Sequence, residues 1–204
     1  QGAGAVYLNV LHPDFETLLD SKKINADEKI RLTTLSIGAI IPDKFMELAE
    51  KNEKCYAFYP HSIYQKYGVH LDGIKMDEWY DKLANDDEIE KKEINPRELL
   101  TRIAQTQQES GYPYVVFIDS ANEQHTLKDV GMIKMSNLCC EIFQYQTPSD
   151  IKGYGQVSDW GQDISCNLGS LNIANVMDNK DIEKTIDVAI RALTYVSDNT
   201  NIEE

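Results

Sequence analysis

The run Lys134-Met135-Ser136-Asn137-Leu138-Cys139-Cys140-Glu141-Ile142 brings an amide, a thiol and a carboxylate within one short stretch. Successive side chains of extended backbone point to opposite sides. Asn137, Cys139 and Glu141 then converge on one small volume, and Leu138, Cys140 and Ile142 face packing. A thiol suits radical or nucleophilic work, a carboxylate can act as base, and an amide can orient a hydroxyl. A plainer reading is also open: a loop whose Asn and Glu satisfy backbone groups, beside two buried apolar cysteines.

Three weaker features accompany it. Residues 163–172 read as a strand ending in a glycine turn, with Cys166 inside as either a redox thiol or a small core residue. Gly2 and Gly4 permit close approach of a phosphate or another loop, but their spacing falls short of a phosphate-loop or dinucleotide fingerprint. Arg31 sits in a polar loop after Asp27 and Glu28, as a surface cation or a contact to a base or phosphate. The four histidines are scattered and no Cys-x-x-Cys occurs, so no metal site is expected.

The elements that must position these residues alternate. Strands are expected at 5–10, 35–41, 55–59 and 114–118. Helices are expected at 13–22, 42–52, 76–84, from 96 to Gly111, and at 181–197. Asn95-Pro96-Arg97-Glu98 is a helix start with cap, first-turn proline and capping glutamate in order. Ile182, Ile186, Ala189, Leu193 and Val196 recur at helical spacing. Residues 23–34 and 85–92 read as loops, and 60–75 as an irregular excursion. Continuous apolar strands between helices imply parallel pairing and an α/β architecture, as an open sheet or a barrel.

Composition narrows the function classes. The 204 residues carry 20 basic and 34 acidic side chains, a net charge of −14. Such a balance argues against a non-specific nucleic-acid binder and against docking on an anionic membrane. No apolar run reaches the roughly 18 residues of a spanning helix. Four cysteines without a secretory signal point to a reducing, cytoplasmic setting. The chain opens on Gln1 with a strand close behind and stops just past a strong helix, so it reads as an internal segment of a longer protein.

Ser136-Asn137-Leu138-Cys139-Cys140-Glu141-Ile142 resembles the finger motif Ser-Asn-Leu-Cys-x-Glu-Ile of the class I ribonucleotide reductase large subunit. The flanks QGAGAVYLN, YPHSIYQKYG, NPRELLTRIA and ISCNLGSLNI are similar to its bacterial class Ib branch, and the likeness runs over essentially the whole chain. The resemblance implies part of a ten-stranded α/β barrel: the first half-barrel, a central finger loop at about 134–142, and the start of the second half-barrel. It implies thiyl-radical reduction of ribonucleoside diphosphates to 2′-deoxy products, with Cys139 as the radical, Glu141 as base and Asn137 on the substrate hydroxyls. Ser136 and Leu138 would join them in substrate binding.

By the same likeness Cys166 is one half of a reducing thiol pair, Gly2 and Gly4 lie near the substrate phosphate, and Arg31 lies on an effector-sensing loop. The implied partners are a radical-generating small subunit with a dimetal-tyrosyl centre, a thioredoxin- or glutaredoxin-like reductant, and a second large subunit. Deoxynucleoside triphosphates or ATP would act as effectors, and this segment itself would bind no cofactor. The Cys166 partner, the phosphate loop, the relay tyrosines and the terminal cysteines match family segments outside this chain, so the chain alone is expected to be inactive. Cys140 departs from nothing essential, because that motif position varies. A piece of a split reductase and, on different chemistry, a glycyl-radical enzyme are the alternatives.

Overall fold

A computed structural model describes residues 2–178 and 180–200. Gln1 and the closing residues 201–204, read above as cut ends, lie outside the described residues. The chain forms two compact units that divide after Tyr145.

The first unit is built on a parallel sheet of β1 (Ala5–Asn9), β2 (Ser36–Ile41) and β5 (Tyr114–Phe117), with β2 in the middle. All six residues of β2 are buried, as expected of a strand covered on both faces. Register places Tyr7, Gly38 and Tyr114 side by side in one row. Their neighbours Leu8, Ala39 and Val115 point to the opposite face. That opposite face carries the core, where Val10, Ala39 and Ile41 meet Phe15, Phe45, Leu48, Leu99 and Ile103.

The helices on that core are α1 (Phe15–Asp20), α2 (Asp43–Lys51), α4 (Met76–Ala84) and α5 (Pro96–Ser110). The start of α5 follows its sequence: Asn95 Oδ1 accepts the Glu98 amide at 3.1 Å, Pro96 sits in the first turn, and Gly111 at φ 77° ends the helix. Phe45 is fully buried, and truncation to Ala costs about 3–5 kcal/mol by loss of transfer energy and the cavity left behind. Arg102 on α5 bridges Glu16 and Asp20, which stand one turn apart on α1, at 2.5 and 2.8 Å.

Three expectations are corrected. Residues 60–75 are not irregular throughout: α3 (Pro60–Tyr67) and a short 3₁₀ turn occupy them. Pro60 at the first helical position and Gly68 at φ 67° frame that helix. The charged run 85–92 does not stay a loop, because Lys91 and Lys92 enter β4 (Lys91–Ile94). This strand pairs antiparallel with β3 (Cys55–Phe58), so β3 belongs to a separate two-stranded sheet. Helix α6 (Ile118–Gln124) follows β5 directly.

The second unit holds an antiparallel hairpin, β6 (Asp150–Gly153) and β7 (Gln156–Asp159), and two helices, α7 (Ile173–Asp178) and α8 (Ile182–Asn199). Residues 163–172 form no strand, contrary to the sequence expectation. They are held on α8 instead, where Asn167 Nδ2 donates to Ser197 Oγ at 2.5 Å. The chain is therefore α/β with a parallel sheet, and no closed barrel is present among the described residues. Among those residues no helix is long and apolar enough to cross a membrane.

The α1–α5 clip makes stability depend on pH. Its hydrogen bond to Lys92, with Arg102 beside it, holds the Glu16 carboxyl below the usual carboxylate range. A depressed folded-state pKa contributes stability that is present above the unfolded value of about 4.3 and lost as pH falls through the folded value. Glu16→Gln is expected to lower the thermal midpoint at pH 7, with the gap to the parent closing in acid below about pH 4. A gap that does not change with pH would show that the ion pairs contribute nothing.

Candidate active site

The finger segment lies over the sheet face that carries Tyr7, Gly38 and Tyr114. Its incoming arm is anchored at Ile133, whose side chain is buried. The Ile133 amide donates to Asn122 Oδ1 at 2.7 Å, and Asn122 Nδ2 donates back to the Ile133 carbonyl at 3.1 Å. The two arms close on each other where the Tyr145 ring fills the space that a side chain at Gly131 would need. A Cβ there would stand 2.1 Å from the ring.

Between the arms the backbone turns. The Cys140 amide donates to the Asn137 carbonyl at 3.1 Å, and Cys140 adopts the left-handed φ of 64°. The Asn137 side-chain oxygen accepts the amides of Glu141 at 3.0 Å and Ile142 at 3.1 Å. Ser136 Oγ donates across the turn to the Ile142 carbonyl at 2.7 Å. The extended backbone expected from alternate spacing is therefore corrected: residues 138–140 are a turn. Asn137 is tied within it to the backbone amides of Cys140, Glu141 and Ile142, through hydrogen bonds rather than through strand alternation.

The turn sets the exposure of each group. Cys139 and Glu141 are exposed, and Cys140 is half-buried with its sulfur 3.9 Å from the Val115 carbonyl. Leu138 was expected in packing but is 37% exposed, because the turn swings it outward. Asn137 has both oxygens engaged: the side-chain oxygen inside the turn, the carbonyl by Cys140 and by Tyr7. The Tyr7 hydroxyl donates to that carbonyl at 2.6 Å. Burial raises the Tyr7 phenol above its ordinary range, and the neighbouring Cys140 thiol adds to the effect. The ring has room because residue 38 is glycine: a Cβ there would stand 2.2 Å from Tyr7 Cε1.

A cleft of about 560 Å³ opens beside the outgoing arm, walled by Val115, Phe117, Gln124, His125, Glu141 and Phe143. His125 is 8% exposed, and neither ring nitrogen has a hydrogen-bond partner. On the outer side of the same sheet face, the Tyr112 hydroxyl lies 3.1 Å from Ser36 Oγ, and its ring centroid lies 5.2 Å from that of Tyr114.

The remaining sequence candidates are placed separately. Gly2 and Gly4 are exposed on the lead-in to β1, where the Gly4 carbonyl accepts the Ser36 amide at 3.1 Å. Nothing stands within 4 Å of where a side chain at Gly2 would begin, so close packing explains neither its type nor its exposure. Arg31 is exposed in the loop between α1 and β2. Cys166 is exposed in the second unit, beside the Asn167 anchor on α8. Spacing in the sequence gave no hint of Tyr7, Gly38 or Asn122, because each acts on the finger from far away in the chain.

Comparison with known proteins completes the picture. The family described as ribonucleotide reductase, barrel domain, matches residues 1–203. Ribonucleoside-diphosphate reductase subunit alpha of Bacillus subtilis (strain 168) is 50% identical over 202 residues, covering 99% of this chain and 29% of that protein. The subunit alpha of Mycoplasma genitalium is 45% identical over 204 residues, covering 100% and 28%. That of a Synechocystis strain is 34% identical over 206 residues, covering 98% and 25%. The chain thus spans less than a third of the length of these relatives. Its motif, its parallel α/β sheet and the match along its length lead to one statement: the chain belongs to the ribonucleotide reductase barrel-domain family.

Proposed function

We propose that this chain carries the radical-bearing finger of a ribonucleoside-diphosphate reductase catalytic subunit of the bacterial class Ib kind. The observation that supports this most is the division of labour at Asn137. Its side-chain oxygen is used inside the turn by two backbone amides, which leaves the Nδ2 amide hydrogens for a ligand. Cys139 stands exposed at the tip, and Glu141 opens into the adjoining cleft.

The reaction that fits is reduction at the ribose. Cys139, as a thiyl radical, takes the 3′ hydrogen and becomes a thiol. Glu141 accepts the 3′-hydroxyl proton, and Asn137 Nδ2 donates to the substrate hydroxyls. The C2′–O bond breaks and the oxygen leaves as water. Two thiols supply the electrons and protons and end as a disulfide, with Cys166 as one of them. The 3′ hydrogen then returns to carbon, and Cys139 recovers the radical. A carboxylate must be ionised to act as base.

Ser136 and Leu138 shape the turn that meets the substrate. Gly2 and Gly4 provide backbone near the substrate phosphate, and Arg31 belongs to the effector-sensing loop. The finger occupies the centre of a ten-stranded barrel completed by the rest of the subunit. The radical is supplied by a dimetal-tyrosyl small subunit, and the disulfide is reduced by a thioredoxin- or glutaredoxin-like protein. The large subunit pairs with itself and answers to deoxynucleoside triphosphates or ATP. All of these act in the cytoplasm.

Two substitutions in the full-length subunit test the assignment. Cys139→Ser is expected to abolish deoxynucleotide formation while effector binding, measured by equilibrium dialysis, persists. Cys140→Ser is expected to keep turnover, because Cys140 packs toward the Val115 carbonyl and Tyr7. Turnover by the Cys139 variant would remove its assigned role.

A further inference from the structure

We infer that Tyr7 is a positioning residue for this chemistry: its hydroxyl, seated over Gly38, fixes the Asn137 peptide and with it the turn that presents Cys139. The inference rests on the reaction proposed for the finger and adds a residue that no motif marks.

The tie joins residues 130 positions apart in sequence, at 2.6 Å. Besides Tyr7, whose hydroxyl also neighbours the Cys140 thiol and Ser136, the turn meets the sheet through the weak thiol contact of Cys140 to Val115, at 3.9 Å. The turn's remaining bonds are internal, so they fix its shape but not its place over the sheet. Asn122 and Tyr145 hold the arms, and the turn itself is tied to β1 through Tyr7.

The seat is built for this ring. Tyr7 and Gly38 are register partners, and any side chain at 38 would occupy the space the ring fills. Central strand positions seldom favour glycine, which has no side chain to pack and costs backbone entropy. Here it lets an aromatic side chain lie across the sheet and reach the finger. Burial raises the phenol's affinity for its proton, so the O–H remains a donor through neutral and mildly alkaline pH.

The consequence is catalytic geometry. Hydrogen transfer to sulfur needs near-attack placement, and a displacement of about 1 Å can cost a hundredfold in rate. Without the hydroxyl, the Asn137 carbonyl keeps its bond from the Cys140 amide, so the turn survives. What is lost is its fixed position. The defect should therefore fall on the hydrogen-transfer step and not on folding.

The test uses the full-length subunit assembled with its small subunit. Tyr7→Phe keeps the ring on its seat and removes only the tie. We expect kcat to fall about ten- to a hundredfold with KM for the nucleoside diphosphate little changed. The isotope effect with 3′-deuterated substrate should grow, while effector affinity and thermal midpoint stay at the parent values. Gly38→Ala, which drives the ring off its seat, should lower kcat in the same way. The double variant should be no worse than the poorer single one, because both remove one interaction.

A Tyr7→Phe kcat within about threefold of the parent, with an unchanged isotope effect, overturns the inference. So does a rate loss matched by losses in effector affinity and thermal midpoint, which marks a merely structural residue. Cys139→Ser, assayed alongside, separates the two failures. If it turns over, the proposed reaction falls; if it is silent while Tyr7→Phe runs at the parent rate, only the role of Tyr7 falls.

Discussion

The Asn137 side-chain oxygen accepts two consecutive backbone amides, those of Glu141 and Ile142. A chain that reverses direction over three residues leaves such amides without strand or helix partners. Leaving such an amide without a protein acceptor, where water can still reach it, forgoes about 1 kcal/mol of net hydrogen-bond energy. A side-chain carbonyl placed four and five residues upstream removes that cost and fixes the turn's shape together. It also orients the rest of its own side chain. With the oxygen engaged inside the turn, the Nδ2 hydrogens of the same amide are not used by those two bonds.

The sheet below is a rigid platform for that turn. Its central strand is fully buried, its far face is closed by Phe15, Phe45 and the apolar faces of α1, α2 and α5, and its near face carries Tyr7, Gly38 and Tyr114, with Ile40 and Val116 in the row two residues on. Three contacts transmit that rigidity to the finger. Asn122 grips the incoming arm at Ile133, Tyr145 closes the arms over Gly131, and Tyr7 holds the turn itself. Each is modest, since a single hydrogen bond nets about 1 kcal/mol. Together they restrict the translation and tilt that internal turn bonds leave free. Two glycines, Gly38 and Gly131, are needed because an aromatic ring occupies the place of their missing side chains.

Much of this was legible in the sequence where local chemistry decides the outcome. The cap, proline and terminal glycine of α5 gave its boundaries, and the apolar run of β2 gave a strand covered on both sides. Helix α3 is hard to read from the sequence although Pro60 and Gly68 frame it, because its Tyr- and His-containing sequence has no strong apolar stripe. Strand β4 was missed because Lys91 and Lys92 read as solvent-facing, and pairing with β3 alone explains them. At the finger, spacing implied extended backbone where the chain forms a turn at residues 138–140. Of the two readings of Asn137, the backbone partner is the one the hydrogen bonds show. Tyr7 was illegible for another reason: a contact across 130 residues leaves no local pattern.

The most direct measurement is amide hydrogen exchange at Glu141 and Ile142 in the full-length subunit carrying Asn137→Ala or Asn137→Asp, with turnover assayed on the same samples. Alanine removes the acceptor, so both amides should lose protection and activity should vanish. Aspartate keeps an acceptor oxygen and removes the outward donor, so protection should remain while activity is lost. Unchanged protection in the alanine variant would contradict the account, since the turn would then not depend on that side chain.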